Sequence, residues 1–188
     1  MGTRHLTMVV LNNETKIAQY GQWDGYPEGQ GVTVLNFLKK SDLKLFKDKL
    51  QFVRFKTEED QQKVNDFLTS IGCKSDLLNS EQVIKYNKIF PYSSRGIGAK
   101  ILELIQNSND SEIVLVDSTD FASDSDCEWA YVIDFDKKVL EVYERLDETS
   151  LTRIKLVAGF ELNKLPSKKA FIDTFKVKEI KKIASIAE

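Results

Sequence analysis

Residues 5–23 read HLTMVVLNNETKIAQYGQW, and the start of the fold is decided there. Residues 5–11 form a β-branched, apolar run. Asn12, Asn13 and Glu14 interrupt it, and from Thr15 a second run begins in which Ile17, Gln19 and Gly21 alternate with Ala18, Tyr20 and Gln22. Asparagine tolerates positive φ, which a tight hairpin turn demands. The pattern therefore predicts that residues 5–11 pair antiparallel with residues 15–22.

Downstream of the hairpin the period changes from two to about three and a half. Val34, Leu35, Phe37 and Leu38, then Leu43, Leu45, Phe46 and Leu50, predict one kinked helix or two short ones over residues 32–51. Gly31 or Thr33 is the expected first cap and Ser41 the second. Phe52 to Phe55 is too short to assign. Thr57 with Asp60 reads as an acidic capping box, followed by the apolar face Val64, Phe67, Leu68 and Ile71 and a stop at Gly72. Further helices are expected over residues 80–90, ended by Pro91, and over residues 97–106.

From Ile113 the chain turns strand-like. IVLV (113–116), CEWAYVIDF (127–135), VLEVYE (139–144) and TRIKLVAGFEL (152–162) are four such runs, with a turn at Asp136, Lys137 and Lys138. In the second of them Trp129, Tyr131, Ile133 and Phe135 share one face, which marks a central strand. Residues 168–187 form a basic amphipathic pattern suited to a helix across the sheet. The order of elements predicts an α+β fold: an N-terminal β-hairpin, central helices and a C-terminal strand meander, forming a mainly antiparallel sheet covered by helices. The hairpin is expected to join the later strands antiparallel. One domain over residues 1–188, with a helical insertion at roughly 32–108, fits the length.

The 188 residues, 41% hydrophobic and 30% charged, describe an ordinary globular chain. Without a long apolar run or a signal-like start, the expectation is a cytoplasmic protein without a membrane partner. Two cysteines without paired spacing and a single histidine predict reduced thiols, no metal site and no cofactor. Net charge is −2, but residues 110–148 carry 13 acids and 3 bases, whereas residues 149–188 carry 9 bases and 4 acids. Internal complementation between the two stretches is one reading, and an acidic docking surface the other. No basic stretch is interleaved with aromatics, which argues against general nucleic-acid binding.

Residues 21–31, GQWDGYPEGQG, place four glycines, one proline, two aromatics and two glutamines in eleven positions. One reading is a structural turn with Trp23 and Tyr26 in the core. The functional reading is a ligand loop. Gly25 and Gly31 let a ligand approach the backbone, Trp23 and Tyr26 offer stacking faces, and Gln22, Asp24 and Gln30 supply directional hydrogen bonds. Arg4 and His5 are expected as strand-edge residues or as charged contacts beside this loop, with residues 120–129 as a further contributor. The occupant this predicts is a polar small molecule or a partner protein; oligomeric state is not fixed by the pattern.

The opening MGTRHLT, the string AQYGQWDGYPEGQG and the later CEWAYVIDF and VLEVYE resemble a largely uncharacterised family of proteins encoded by phages, bacteria and some fungi. The resemblance covers about a third of the chain and both ends of the expected sheet. It carries no established activity. A phage setting implies an accessory or counter-defence role in the host cytoplasm, with a host protein as partner.

A second chemistry is an N-terminal-nucleophile amide hydrolase, in which cleavage after Gly2 would free the Thr3 amine to act as base for its own hydroxyl. Thr3 as an ordinary strand residue is the alternative. Other motifs fail on spacing. Residues 117–128 have the length of a calcium loop but place Phe121 and Ala122 where a ligand and a glycine are needed. Residues 93–100, SSRGIGAK, lack the full phosphate-loop pattern and read first as helix capping, with anion binding as the lesser alternative. A Ser/His/Asp triad would have to use His5.

Overall fold

The computed structural model describes residues 2–73, 77–145 and 154–176. The chain opens with β1 (His5–Leu11) and β2 (Glu14–Gly21), paired antiparallel in the expected hairpin. Asn12 and Asn13 both have positive φ, 57° and 59°, as a two-residue turn of the mirror-image type requires. Their amides donate to the Asp136 carboxylate at 3.0 and 2.7 Å.

A short π-turn, Pro27–Gly31, leads into α1 (Val32–Lys40) and α2 (Leu43–Lys49). No side chain caps α1; Thr33 instead returns its hydroxyl to the Gly29 carbonyl. The cap of α2 is Asp42, not Ser41: its carboxylate takes the amides of Lys44 and Leu45, and a carboxylate at a helix N-terminus also meets the dipole favourably. β3 (Val53–Phe55) follows, then α3 (Glu58–Ser70) behind the expected Thr57–Asp60 capping box. Next come α4 (Ser80–Ile89), α5 (Ile101–Asn107) and β4 (Ile113–Leu115). β5 (Trp129–Asp134), β6 (Val139–Arg145) and β7 (Ile154–Glu161) complete the strands, and residues 168–176 form α6. Residues 177–187 of the expected C-terminal helix lie outside the described residues.

The main sheet has the order β2-β1-β5-β6-β7. The fold is α+β with a mainly antiparallel sheet, and β5 is its central strand. Two expectations are corrected. The hairpin meets the later strands through a parallel pair, β1 with β5, because the helical stretch between them is long enough for a crossover that a short turn could not make. The run at 113–116 does not belong to the meander: β4 pairs parallel with β3, the segment too short to assign, in a separate two-stranded sheet.

The face of β1 and β5 bearing Val9, Tyr131 and Ile133 packs against α1, α2, α5 and α6. Phe37 and Phe46 meet edge to face at 4.8 Å between α1 and α2. Phe171 and Phe175 of α6 are buried, and Phe175 meets Trp129 edge to face at 5.8 Å. The opposite face holds a smaller cluster of Leu6, Cys127 and Ala130. Burial of Cys127 pushes its thiol up to about 12. The acidic stretch finds cations outside the C-terminal stretch, in Arg4 and Arg54. Among the described residues no helix is long and apolar enough to cross a membrane.

At the end of the hairpin His5 and Gly21 are register partners, and the imidazole lies across the glycine where a side chain would stand. Gly21→Ala should therefore cost about 1–3 kcal/mol through overpacking. Combined with His5→Ala, much of that cost should vanish. Chemical denaturation of the two single variants and the double variant reads the coupling, and strict additivity would place the clash elsewhere.

Candidate functional site

Residues 21–31 divide into a clamped part and a displayed part. Gly25 is buried: its amide donates to the Thr3 carbonyl at 2.9 Å, and its carbonyl accepts from the Tyr131 hydroxyl at 2.7 Å. Tyr131 is fully buried, and burial raises its phenol well above the usual range. Gly31 packs on the same ring, where a Cβ would stand 2.9 Å from Tyr131 Cε1. The Gln30 side chain spans two segments, accepting from the Ala99 amide at 3.1 Å and donating to the Trp23 carbonyl at 3.3 Å. Gly25, Gln30 and Gly31 therefore hold the loop in place.

Trp23, Asp24 and Tyr26 are displayed. Trp23 is 56% and Tyr26 41% exposed, so the reading that puts these rings in the core is overturned. Asp24 is exposed with φ of 55°, and its carbonyl accepts from the Gln30 amide at 2.9 Å. Its carboxylate accepts from the Tyr26 hydroxyl at 3.2 Å, which raises the phenol's pKa. Trp23 lies against Gly2, and Thr3 is half-buried beside Gly25.

His5 is not displayed beside the loop. It is fully buried, flanked by Gly21, Gly25 and Gly98, with the Tyr131 ring edge-on at 6.5 Å. Neither ring nitrogen has a hydrogen-bond partner among the described residues, and the Thr7 hydroxyl two positions along shares that state. Burial lowers the imidazole to about 4, against a smaller upward pull from Asp24.

Arg4, on the opposite side of the strand, does reach an accessible surface. Its amide donates to Glu128 Oε1 at 3.1 Å, its carbonyl accepts from the Glu128 amide at 3.2 Å, and its guanidinium pairs with Asp126. This brings Arg4 against residues 120–129. Together they line a cleft of about 620 Å³ with Tyr20, Arg95, Asp120 and Phe121. Tyr20 meets Phe121 edge to face at 4.8 Å and lies under the Arg95 guanidinium at 5.5 Å. Gln22 connects cleft to loop: its amide donates to the Arg95 carbonyl at 3.2 Å, and its side chain accepts from the Tyr20 hydroxyl.

Four aspartates line this cleft, Asp117, Asp120, Asp124 and Asp126, against two arginines. Among the described residues only Asp126 of the four is in an ion pair, so the cleft favours donor-rich or cationic groups. Arg95 carries no sequence signal for this role. The 93–100 segment reads as a cap or, less favoured, an anion site, yet no side chain caps α5 there; the segment instead brings Gly98 onto His5 and Arg95 over Tyr20. No family model, curated protein or solved structure matches this chain.

The neutral, buried His5 makes stability depend on pH in a defined window. Its folded pKa of about 4 lies below the 6.5 of a free imidazole, so below pH 6.5 the unfolded chain takes up a proton that the folded chain does not. Stability should be full above that value and fall by up to about 3 kcal/mol as pH drops through about 4. Urea titrations at stepped pH should show this slope in the native protein and its absence in His5→Gln. An equal slope in both would assign the loss to carboxylates.

Proposed function

We propose that this protein is a binding protein, in which residues 21–31 and the adjoining Arg4 cleft hold a flat, donor-bearing polar group offered by a small molecule or a partner protein. The observation that carries this reading is the division within the loop. Gly25, Gln30 and Gly31 anchor the backbone, while Trp23, Asp24 and Tyr26 face solvent at 56% exposure for the indole and 41% for the phenol. Two exposed rings joined by a carboxylate contribute little to folding, and they are suited to stacking and hydrogen bonding with an occupant. The acidic lining of the cleft supports a donor-rich occupant over an anion. With the resemblance to phage-encoded proteins, the role this suggests is an accessory or counter-defence factor acting on a host protein.

The second reading, amide hydrolysis by Thr3, draws support from the position of Thr3 beside Gly25 at the edge of the loop. It requires a chain that begins at Thr3.

Native mass spectrometry of protein purified from its host tests both. The expected result is an intact or Met-less chain that retains an added mass. Trp23→Ala and Asp24→Ala should lose that mass while shifting stability by less than about 1 kcal/mol, as exposed substitutions do. Variants that unfold return the loop to scaffold, and variants that keep the added mass place binding elsewhere. A chain starting at Thr3 replaces this proposal with the hydrolase.

A further inference from the structure

A second cleft, of about 410 Å³, lies between α3, the 88–93 segment and the end of β4. Its walls are apolar, built from Val64, Phe90, Pro91 and Leu115, and three lysines line it: Lys56, Lys63 and Lys88. Three carboxylates line it too, those of Asp60, Asp110 and Glu112, but each already has a donor.

Arg54, outside the lining, grips two of them. Its guanidinium meets Asp60 through Nη1 and Nη2 at 2.5 and 3.1 Å, and Glu112 through Nε and Nη2 at 2.8 and 3.0 Å. The Thr57 amide and hydroxyl add bonds to Asp60 at 3.0 and 2.9 Å. Asp110 accepts from the Tyr92 hydroxyl at 2.5 Å. Both Asp60 and Glu112 are held below the usual carboxylate range, first of all by Arg54. Two-pronged guanidinium contacts of this kind leave the acids little capacity to neutralise the lysines.

The lysines are correspondingly under-compensated. Lys56 is half-buried, and its ammonium donates only to the neutral Gln61 side chain, at 2.9 Å; burial lowers its pKa. Lys88 is exposed and makes no ion pair among the described residues. Lys63 is the compensated one, reaching the exposed Glu59 at 3.1 Å and Asp60 at 3.8 Å. Lys56 and Lys88 are therefore the cations of this cleft that have no ion pair among the described residues, beside an apolar wall.

We infer that this cleft is a binding site for a small amphipathic organic anion, with its apolar body against Val64, Pro91 and Leu115 and its anionic head between Lys56 and Lys88. A cleft of this size falls in the range used for small ligands, and an anion there would offset the desolvation of the Lys56 ammonium. The site is independent of the loop at 21–31 and takes the opposite charge from the Arg4 cleft.

Octanoate, 1-octanol and octylamine serve as probes, titrated into the ¹⁵N-labelled full chain while amide shifts are followed. Octanoate should give saturable shifts at Val64, Tyr92 and Leu115, with 1-octanol binding at least about tenfold more weakly and octylamine weaker still. Lys56→Gln with Lys88→Gln should weaken octanoate about tenfold or more, and Trp23→Ala should leave its affinity unchanged. Lys88→Gln alone, at an exposed and unpaired position, keeps the test valid if the double variant is unstable, and a loss of octanoate affinity is expected from it as well. The proposal is overturned if octanol binds as well as octanoate, if the lysine variants leave affinity unchanged, or if no saturable shift appears through the millimolar range.

Discussion

A buried imidazole with glycine backbone on three sides ties together the segments from which the candidate site is built. His5 sits at the end of β1, and Gly21 closes β2 beside it. Gly25 brings the loop down onto the His5 Cβ, and Gly98, at φ of 52°, brings in the segment ahead of α5. A side chain at any of the three glycines would meet the histidine or the backbone next to it. Among the described residues this packing leaves both ring nitrogens without a partner, an arrangement that ordinarily costs about 1–3 kcal/mol per buried polar group. Local violations of this kind tend to accumulate where a fold gives up stability for a function. Here the cost coincides with the place where the loop, the strand ends and the cleft converge.

The fold was legible where local chemistry decides it. Two asparagines between β-rich runs allow only a tight turn, and Thr57 with Asp60 has the spacing of a reciprocal cap. The alternation of Trp129, Tyr131 and Ile133 against Ala130 and Val132 pointed to a central strand, and β5 is the centre of the sheet. What remained hidden depends on contacts between distant residues. The parallel pairing of β1 with β5 is set by a crossover of more than a hundred residues, which leaves no mark on either strand. β3 and β4, three residues each, are too short to carry a period and exist because each is the other's partner.

The site was legible to a similar degree. The density of glycine and aromatic residues in residues 21–31 singled out the segment, and its exposed rings agree with the ligand reading. The sequence did not separate Gly25, Gln30 and Gly31, which clamp, from Trp23, Asp24 and Tyr26, which are displayed, because that division comes from Tyr131 and Ala99 reaching in from remote elements. His5 was misplaced for a related reason. At the start of β1 only side alternation distinguishes it from the preceding Arg4, and the covered face proved to be the one that His5 shares with Thr7 and Val9.

Charge then divides the surface around this scaffold. The acidic stretch does not act as one surface: its early members, Asp110 and Glu112, are engaged by Tyr92 and Arg54, whereas Asp117, Asp120 and Asp124 line the Arg4 cleft without an ion pair among the described residues. Tyr92 and Ser93 line both clefts, so a single turn of chain separates a region that favours donors from one that favours an anion. Arg54 maintains the separation. By holding Asp60 and Glu112 together it engages two of the carboxylates that line the smaller cleft, and it ties β3 to the start of α3 and to the residue just ahead of β4. The ion pairs that brace the small parallel sheet thus shape the charge of the smaller cleft, while the acidic cleft owes its charge to aspartates beyond the far end of β4.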